Sequence, residues 1–325
     1  MRVTRRQFNA ILLGTSLLPA ASAFAQSYPS KPVKILVGAG PGGTADLYAR
    51  IIAQELSKSL AQPFVVENRP GASSTIAAAA VAKADPDGYT LLLGASNTHA
   101  INPHLIKTAY DHVKDFSAVT LFATGPLLLM VNPSKLPVKN VTELIDVLKK
   151  NPGKYSFGST SIGTGQHMAG ELFKLMTQTG IQHVPYRTGS GEMLNGLMVG
   201  DIQFAFDNIT SALPQHTGGT LRAIAVSSKA RTPALPDIPA VAETLPGFEV
   251  VGWHCVLAPA TTPKEVVDKL NAEIKKAVAI PEINKRIREL GGNPIASLPA
   301  ELDEHVRKET EKYGKLIKDA DIRMQ

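Results

Sequence analysis

Gly38, Gly40 and Gly43 spell G-x-G-x-x-G where the apolar run 33–37 gives way to an amphipathic segment starting near Thr44. Residues of these types in this order make an anion site. Glycines let the backbone turn tightly and approach a ligand, while the first N–H groups of the following helix lack intrahelical partners and lie at the positive end of its dipole. A second glycine-rich stretch, residues 158–165, stands between Tyr155-Ser-Phe157 and a segment with Met168, Leu172, Leu175 and Met176 on one helical face. The first loop alone also fits a dinucleotide pyrophosphate, with Glu67 placed as the ribose-binding acid, but the second has no purpose in a single dinucleotide site.

Other chemistries find less support. A Walker loop needs lysine after G-x-x-x-x-G, and Thr44 stands there. Ser159-Thr-Ser-Ile-Gly163 lacks the first glycine of a nucleophile elbow, and Gly71-Ala-Ser-Ser-Thr75 lacks the second. The eight histidines never adopt H-x-H or H-E-x-x-H spacing, so no metal site is expected, and His167 reads as a hydrogen-bonding or pocket-lining residue just inside a helix. Asp46 and Asp207 fit either an acid/base pair or caps that orient backbone amides. The single cysteine, Cys255, excludes an internal disulfide and reads as a small buried hydrophobe. No catalytic residue and no cofactor are assigned on this reading.

Strand-like and helix-like runs alternate through most of the chain, the pattern of an α/β fold with a largely parallel sheet. Residues 33–37, 64–66 and 89–93 read as strands, separated by helices near 44–60 and 75–83, the latter capped by Ser73 or Ser74. Residues 118–131, interrupted by Gly125-Pro126, read as a strand leaving the first lobe, and 221–226 as the strand that returns the chain to it. Between them a helix at 141–150 precedes the second glycine loop, and His183-Val-Pro-Tyr186 leads to a helix carrying Met193, Leu194, Leu197 and Met198 and then to a strand at 202–206. The methionines at helical spacing read as core. Residues 231–246, with four prolines, form an irregular excursion. Strand 250–257 and helices near 263–279, 281–290 and 300–319 follow. The division is lobe 1 at 26–123 and 228–325 and lobe 2 at 124–227, with the last helix packing on either lobe.

Residues 1–25 read as a leader: Arg2, Arg5 and Arg6 precede an apolar run from Ala10 to Leu18 and the small-residue site Ala23-Phe-Ala25. Thr4-Arg-Arg-Gln-Phe8 resembles a twin-arginine export motif, although Asn9 and Ala10 depart from it. The apolar run is too short to span a bilayer. Without those three arginines, 31 basic residues face 28 acidic ones, a net charge of +3. No basic cluster with interleaved aromatics occurs, so nucleic acid is not an expected partner.

From Tyr28 to Ala320 the chain resembles the Bug-type substrate-binding proteins of tripartite tricarboxylate transporters. The resemblance rests on Pro41-Gly-Gly-Thr-Ala-Asp46, Val65-Val-Glu-Asn-Arg-Pro-Gly71, Pro86-Asp-Gly-Tyr-Thr-Leu91, Gly163-Thr164, His167, Glu171-Leu-Phe173, His183-Val-Pro-Tyr186, Phe206-Asp-Asn208 and Leu221-Arg-Ala-Ile-Ala-Val226. It implies a two-lobed periplasmic binding protein of the Venus flytrap type (type II-like) with a hinge of two crossing segments. It further implies a monomer that closes on a small organic carboxylate and delivers it to membrane permease subunits. Ligand contacts are implied at Ala39, Pro41, Gly42, Gly43, Thr44, Ala45 and Asp46 with Ser96 in one lobe, and at Thr160, Gly163, Thr164, Gln166, His167, Tyr186 and Asp207 in the other. Thr44 and Thr164 are the expected hydroxyl donors. Two facing helix starts suit a dicarboxylate. At Ala39 and Gly40 the family often carries a bulkier aromatic-proline pair, so a wider mouth and larger or aromatic carboxylates are expected. The run Thr188-Gly-Ser-Gly-Glu192 also departs from the family pattern, with Glu192 read as a helix-start residue favoured by the dipole. An exported NAD(P)-dependent oxidoreductase using residues 38–43 is the alternative reading.

Overall fold

The computed structural model describes residues 28–186 and 189–323. The leader and residues Arg187 and Thr188 lie outside the described residues. Among those described, no helix is long and apolar enough to cross a membrane.

The first lobe is built on β1 (Val33–Val37), β2 (Phe64–Asn68) and β3 (Thr90–Ala95), with β1 central and parallel to both neighbours. Helix α1 (Thr44–Leu60) follows the first glycine loop and buries Tyr48, Ile51, Ile52 and Leu56 against that sheet. Tyr48 and Ala49 on this face are fully covered, while Leu47 and Leu60 are only half-buried. Helix α2 (Thr75–Ala82) covers the other side. The second lobe repeats this on β5 (Ser156–Ser159), β6 (Gln182–Pro185) and β7 (Phe204–Asn208), with β5 parallel to both others. Helices α5 (Gly165–Thr177), α6 (Ser190–Val199) and α7 (Ile209–Thr217) each start at the C-terminal end of a strand or the loop beyond it. Met168 and Met193 are fully buried, in keeping with their core reading.

One strand belongs to both lobes. β4 (Phe116–Val131) pairs antiparallel with β9 (Val251–Pro259) over its first part, and with β7 and β8 (Arg222–Val226) over Leu127–Val131. The chain passes Gly125-Pro126 without breaking the strand, and a Cβ on Gly125 would lie 3.0 Å from the Gly291 carbonyl oxygen. The sheet is therefore mixed rather than largely parallel. A strand that carries the chain between lobes, and one that brings it back, run against the strands they join, so β4, β8 and β9 all make antiparallel ladders.

The excursion after β8 also departs from expectation. Val241, Phe248 and Val250 pack with Leu127, Phe157, Phe173 and Phe206, and Ile238 and Ala240 pack with Met130 and Leu197, so these residues join second-lobe cores. Arg231 bridges to Glu243 at 2.8 Å and Val226 pairs with Ala240, which fold the proline-rich segment back onto β8. The C-terminal helix α10 (Pro299–Asp319) buries Leu302, Val306, Tyr313 and Leu316 against Leu36, Leu92 and Trp253 of the first lobe. Cys255 is buried in the same cluster, and burial pushes its thiol well above the usual range.

Candidate functional site

The first glycine loop is held from within by a carboxylate. Asp46, one of α1's first residues, is buried and accepts from the Gly42 N–H at 2.9 Å, from Arg50 Nε at 2.9 Å and from Asn68 Nδ2 at 2.9 Å. Asn68 also donates to the Ala39 carbonyl at 2.9 Å, so the loop is tied at both ends to β2. Burial works to raise the Asp46 pKa, but the bonds from Arg50, Gly42 and Asn68 outweigh it and hold the carboxyl below its ordinary value. Gly42 takes φ +81°, which glycine tolerates. Gly40, Pro41 and Gly42 are exposed. The α1 N-cap, Gly43, supplies no side-chain cap, and the Thr44 and Ala45 N–H groups have no acceptor among the described residues.

The second loop is held from behind. Thr164 caps α5, accepting from the His167 N–H at 3.3 Å and donating to the Ser161 carbonyl at 2.9 Å. Gly163 takes φ +77° and donates its N–H to His167 Nδ1 at 3.3 Å. The N–H groups of Gly165 and Gln166 point out of α5 without an acceptor among the described residues. Asp207, at the end of β7, is fully buried where α5, α6 and α7 begin. It accepts from Ser190 Oγ at 2.7 Å, Ser211 Oγ at 2.5 Å and Gln166 Nε2 at 3.4 Å. Burial raises its pKa, opposed by the Ser211 and Ser190 bonds. Asp46 thus orients the Gly42 amide, whereas Asp207 gathers the Ser190, Ser211 and Gln166 side chains at the helix starts.

The two loops meet. Thr44 Oγ1 lies 3.2 Å from Thr210 Oγ1 on α7, and Thr210 donates to the Leu290 carbonyl at 2.8 Å, so Thr44 is the donor of the cross-lobe bond. Ser73 Oγ donates to the Ile162 carbonyl at 3.2 Å. Asn102 sits so close to Gly163 that a Cβ there would lie 2.4 Å from its Oδ1. The starts of α1 and α7 therefore lie together at the interface, and the turn before α2 lies against the loop before α5.

The other residues singled out in the sequence have the following surroundings in the fold. The hydroxyls of Thr44 and Thr164, expected as ligand donors, donate to Thr210 and Ser161. His167 is 3 % exposed and directs its ring into the second lobe. Tyr186 packs over Gly196 and Gly158, where Cβ atoms would fall 2.2 Å from its hydroxyl oxygen and 3.4 Å from its ring, and its N–H bonds the Ser159 carbonyl at 2.8 Å. Ser96 is buried just before a π-turn at Asn97–Ile101, and Thr160 is half-buried on the second loop. Ser74 does not cap α2 with its side chain but donates to the Gly38 carbonyl at 3.1 Å. Glu67 pairs with Arg69 at 2.7 Å and Lys34 at 3.8 Å.

Residues 71–74 are the part of the site that sequence reasoning missed. Gly71, Ala72, Ser73 and Ser74 all have positive φ, a conformation costly for three non-glycine residues in succession. Asn97 and Asn102 both donate to the Ser73 carbonyl, at 2.9 and 3.0 Å, and hold the turn against Gly38, where a Cβ would lie 2.2 Å from Ser74 Cβ. A groove of about 590 Å³ lies between Ile209 and Leu213 of α7 and residues 279–289, and no predicted site residue lines it.

Two α/β lobes, crossed by β4 and the segment before β9, are the plan of a two-lobed solute-binding receptor. Residues 48–322 match the tripartite tricarboxylate transporter family receptor, and the chain belongs to that family. It is similar to Rpa4515 from R. palustris, solved with adipate, at 37 % identity and a TM-score of 0.85 over 91 % of this chain and 99 % of that one. It is similar to the periplasmic binding protein BugD at 32 % identity and a TM-score of 0.81, over 92 % of this chain and all of that one. MatC from Rhodopseudomonas palustris, solved with bound malate, shares 31 % identity and a TM-score of 0.80 over 89 % and 100 % of the two chains. Family and neighbours are periplasmic solute-binding receptors.

Proposed function

We propose that this receptor captures a dicarboxylate between the free N–H groups at the start of α1 and those at the start of α5, and delivers it to membrane permease subunits without chemical change. The observation that carries this reading is that the lobes touch beside both helix starts, through Thr44 of α1 to Thr210 of α7 and through Ser73 to Ile162 of the second loop. One carboxylate at each helix start satisfies donors that lack protein partners. The adipate- and malate-bound neighbours support the ligand class. The Ala39-Gly40 pair favours adipate-sized or aromatic acids over succinate. Residues 1–25 serve as the export leader, with the twin-arginine motif as a candidate route, and the released chain acts as a monomer. The lobes divide at 26–123 with 251–325, and 124–250, the boundary moved by the packing of Phe248 and Val250.

A melting-shift panel tests this. At 100-fold excess over its dissociation constant a ligand stabilises by ~2.7 kcal/mol, so adipate and an aromatic dicarboxylate are expected to raise Tm by several degrees, succinate less and hexanoate little. A response confined to NADH overturns the reading in favour of the oxidoreductase, a role for which Glu67, paired with Arg69, gives no free ribose acceptor.

A further inference from the structure

His167 on α5 and His183 on β6 stack face to face, ring centroids 4.0 Å apart and planes 24° from parallel, with Phe157 continuing the stack 5.0 Å from His183. Hydrogen bonding fixes the proton on each ring. The Ser159 hydroxyl donates to the Ser161 carbonyl at 2.9 Å, so its oxygen accepts in the 2.6 Å contact with His183, and His183 Nε2 carries a hydrogen. His167 Nδ1 receives the Gly163 N–H and carries none, leaving its proton on Nε2, 3.8 Å from Glu171 Oε1. Both imidazoles are therefore neutral Nε2–H tautomers. Burial, the neighbouring His183 and Lys174 hold His167 down to about 3, and burial with Lys174 holds His183 down to about 4. The charged groups facing the pair are Glu171 and Lys174, both on α5; Phe157 on β5 is apolar, as is Phe204 on β7 beyond it.

We propose that His167 and His183 are positioning residues for the second anion loop, acting from behind it rather than touching the ligand. This rests on the receptor reading above. His167 pins the left-handed Gly163, and His183 pins, through Ser159, the Ser161 carbonyl to which the Thr164 cap also donates. Together the two rings set the path of residues 159–164, and with it the direction of the Gly165 and Gln166 N–H groups. A proton added to His167 goes to Nδ1, the atom that accepts from Gly163, and a charge there sits against a stacked partner.

The test uses the full chain, 15N-labelled, in wild-type form and as His167→Asn and His167→Gln. Asparagine places an acceptor near the Nδ1 position, and glutamine places its polar end near Nε2. Ring-nitrogen spectra are expected to report Nε2–H for both histidines at pH 7, and the Gly163 amide to stay near its wild-type shift in His167→Asn but move in His167→Gln. Adipate affinity is expected to fall about tenfold in His167→Gln and to return within about twofold in His167→Asn. Unmoved amides at 159–166 in His167→Gln overturn the proposal, as does a His167 ring signal that shifts on adding adipate while His167→Asn fails to restore binding. If wild-type protein ignores adipate, the ligand assignment fails, yet the tautomer and amide signals still decide the positioning role.

Discussion

The two glycine loops share one strand–glycine–helix plan and are made rigid by opposite chemistries. In the first lobe an ionised carboxylate, Asp46, lies inside the loop and gathers Gly42, Arg50 and Asn68, leaving the glycines at the surface. In the second, neutral imidazoles lie behind the loop and Gly163 is itself buried against Asn102 of the other lobe. Helix starts that bind anions must leave N–H groups uncapped, so their support has to come from groups that do not compete for those donors. A buried acid below its usual pKa and a histidine held neutral are two solutions. One needs its charge, and the other needs to lack one.

The sharpest way to break the comparison sets Gly163→Ala against Gly42→Ala. Both sites have positive φ, but a Cβ at Gly42 meets nothing within 4 Å while one at Gly163 strikes Asn102. Gly163→Ala is expected to lower carboxylate affinity by ~100-fold or more, about 2.7 kcal/mol, and Gly42→Ala to cost about 1 kcal/mol of backbone strain, both read by calorimetric titration. Next comes Asp46→Ala, which leaves the Gly42 N–H and Asn68 amide without their acceptor; chemical denaturation should show a loss of about 1–3 kcal/mol.

Acid separates the loops further. His167 at about 3 and His183 at about 4 lie below the free-histidine value of 6.5, so the unfolded chain binds more protons in between. Their contribution to stability is complete above about pH 6.5 and is lost as pH falls through 4 and then 3, at up to about 1.4 kcal/mol per pH unit for each group. His99, at about 3, and His254, at about 4, act with the same sign. Melting curves between pH 4 and 7 should therefore flatten in His167→Asn by one proton's share. The Asp46 contribution persists to lower pH, because its carboxyl is held below 3.8. The smallest effect belongs to Ser73→Ala, which removes the bond to Ile162 across the interface; stopped-flow release should quicken severalfold, matching about 0.5–1.5 kcal/mol.

Both loops were legible in the sequence because strand, glycines and helix are local signals, and the buried methionines were read from helical spacing. What escaped depends on distant residues. Nothing in Gly71-Ala-Ser-Ser-Thr75 announces three left-handed non-glycine residues; Gly38, Asn97 and Asn102 impose them after folding. Strand direction was misjudged for a similar reason: β4 and β9 look like any apolar run until their partners are known. Phe248 and Val250 follow a proline-rich stretch without helical or strand periodicity, so only their packing assigns them to the second lobe. His167 was read as a hydrogen-bonding residue just inside a helix, but its stacking on His183 was not, since that partner lies on a separate element, β6.

The central claim, that α1 and α5 share one ligand, is tested most directly by a crystal structure of the protein with adipate bound. The account predicts one carboxylate against the Thr44 and Ala45 N–H groups and the other against those of Gly165 and Gln166. Both carboxylates held within a single lobe, or adipate seated in the groove beside residues 279–289, contradict it.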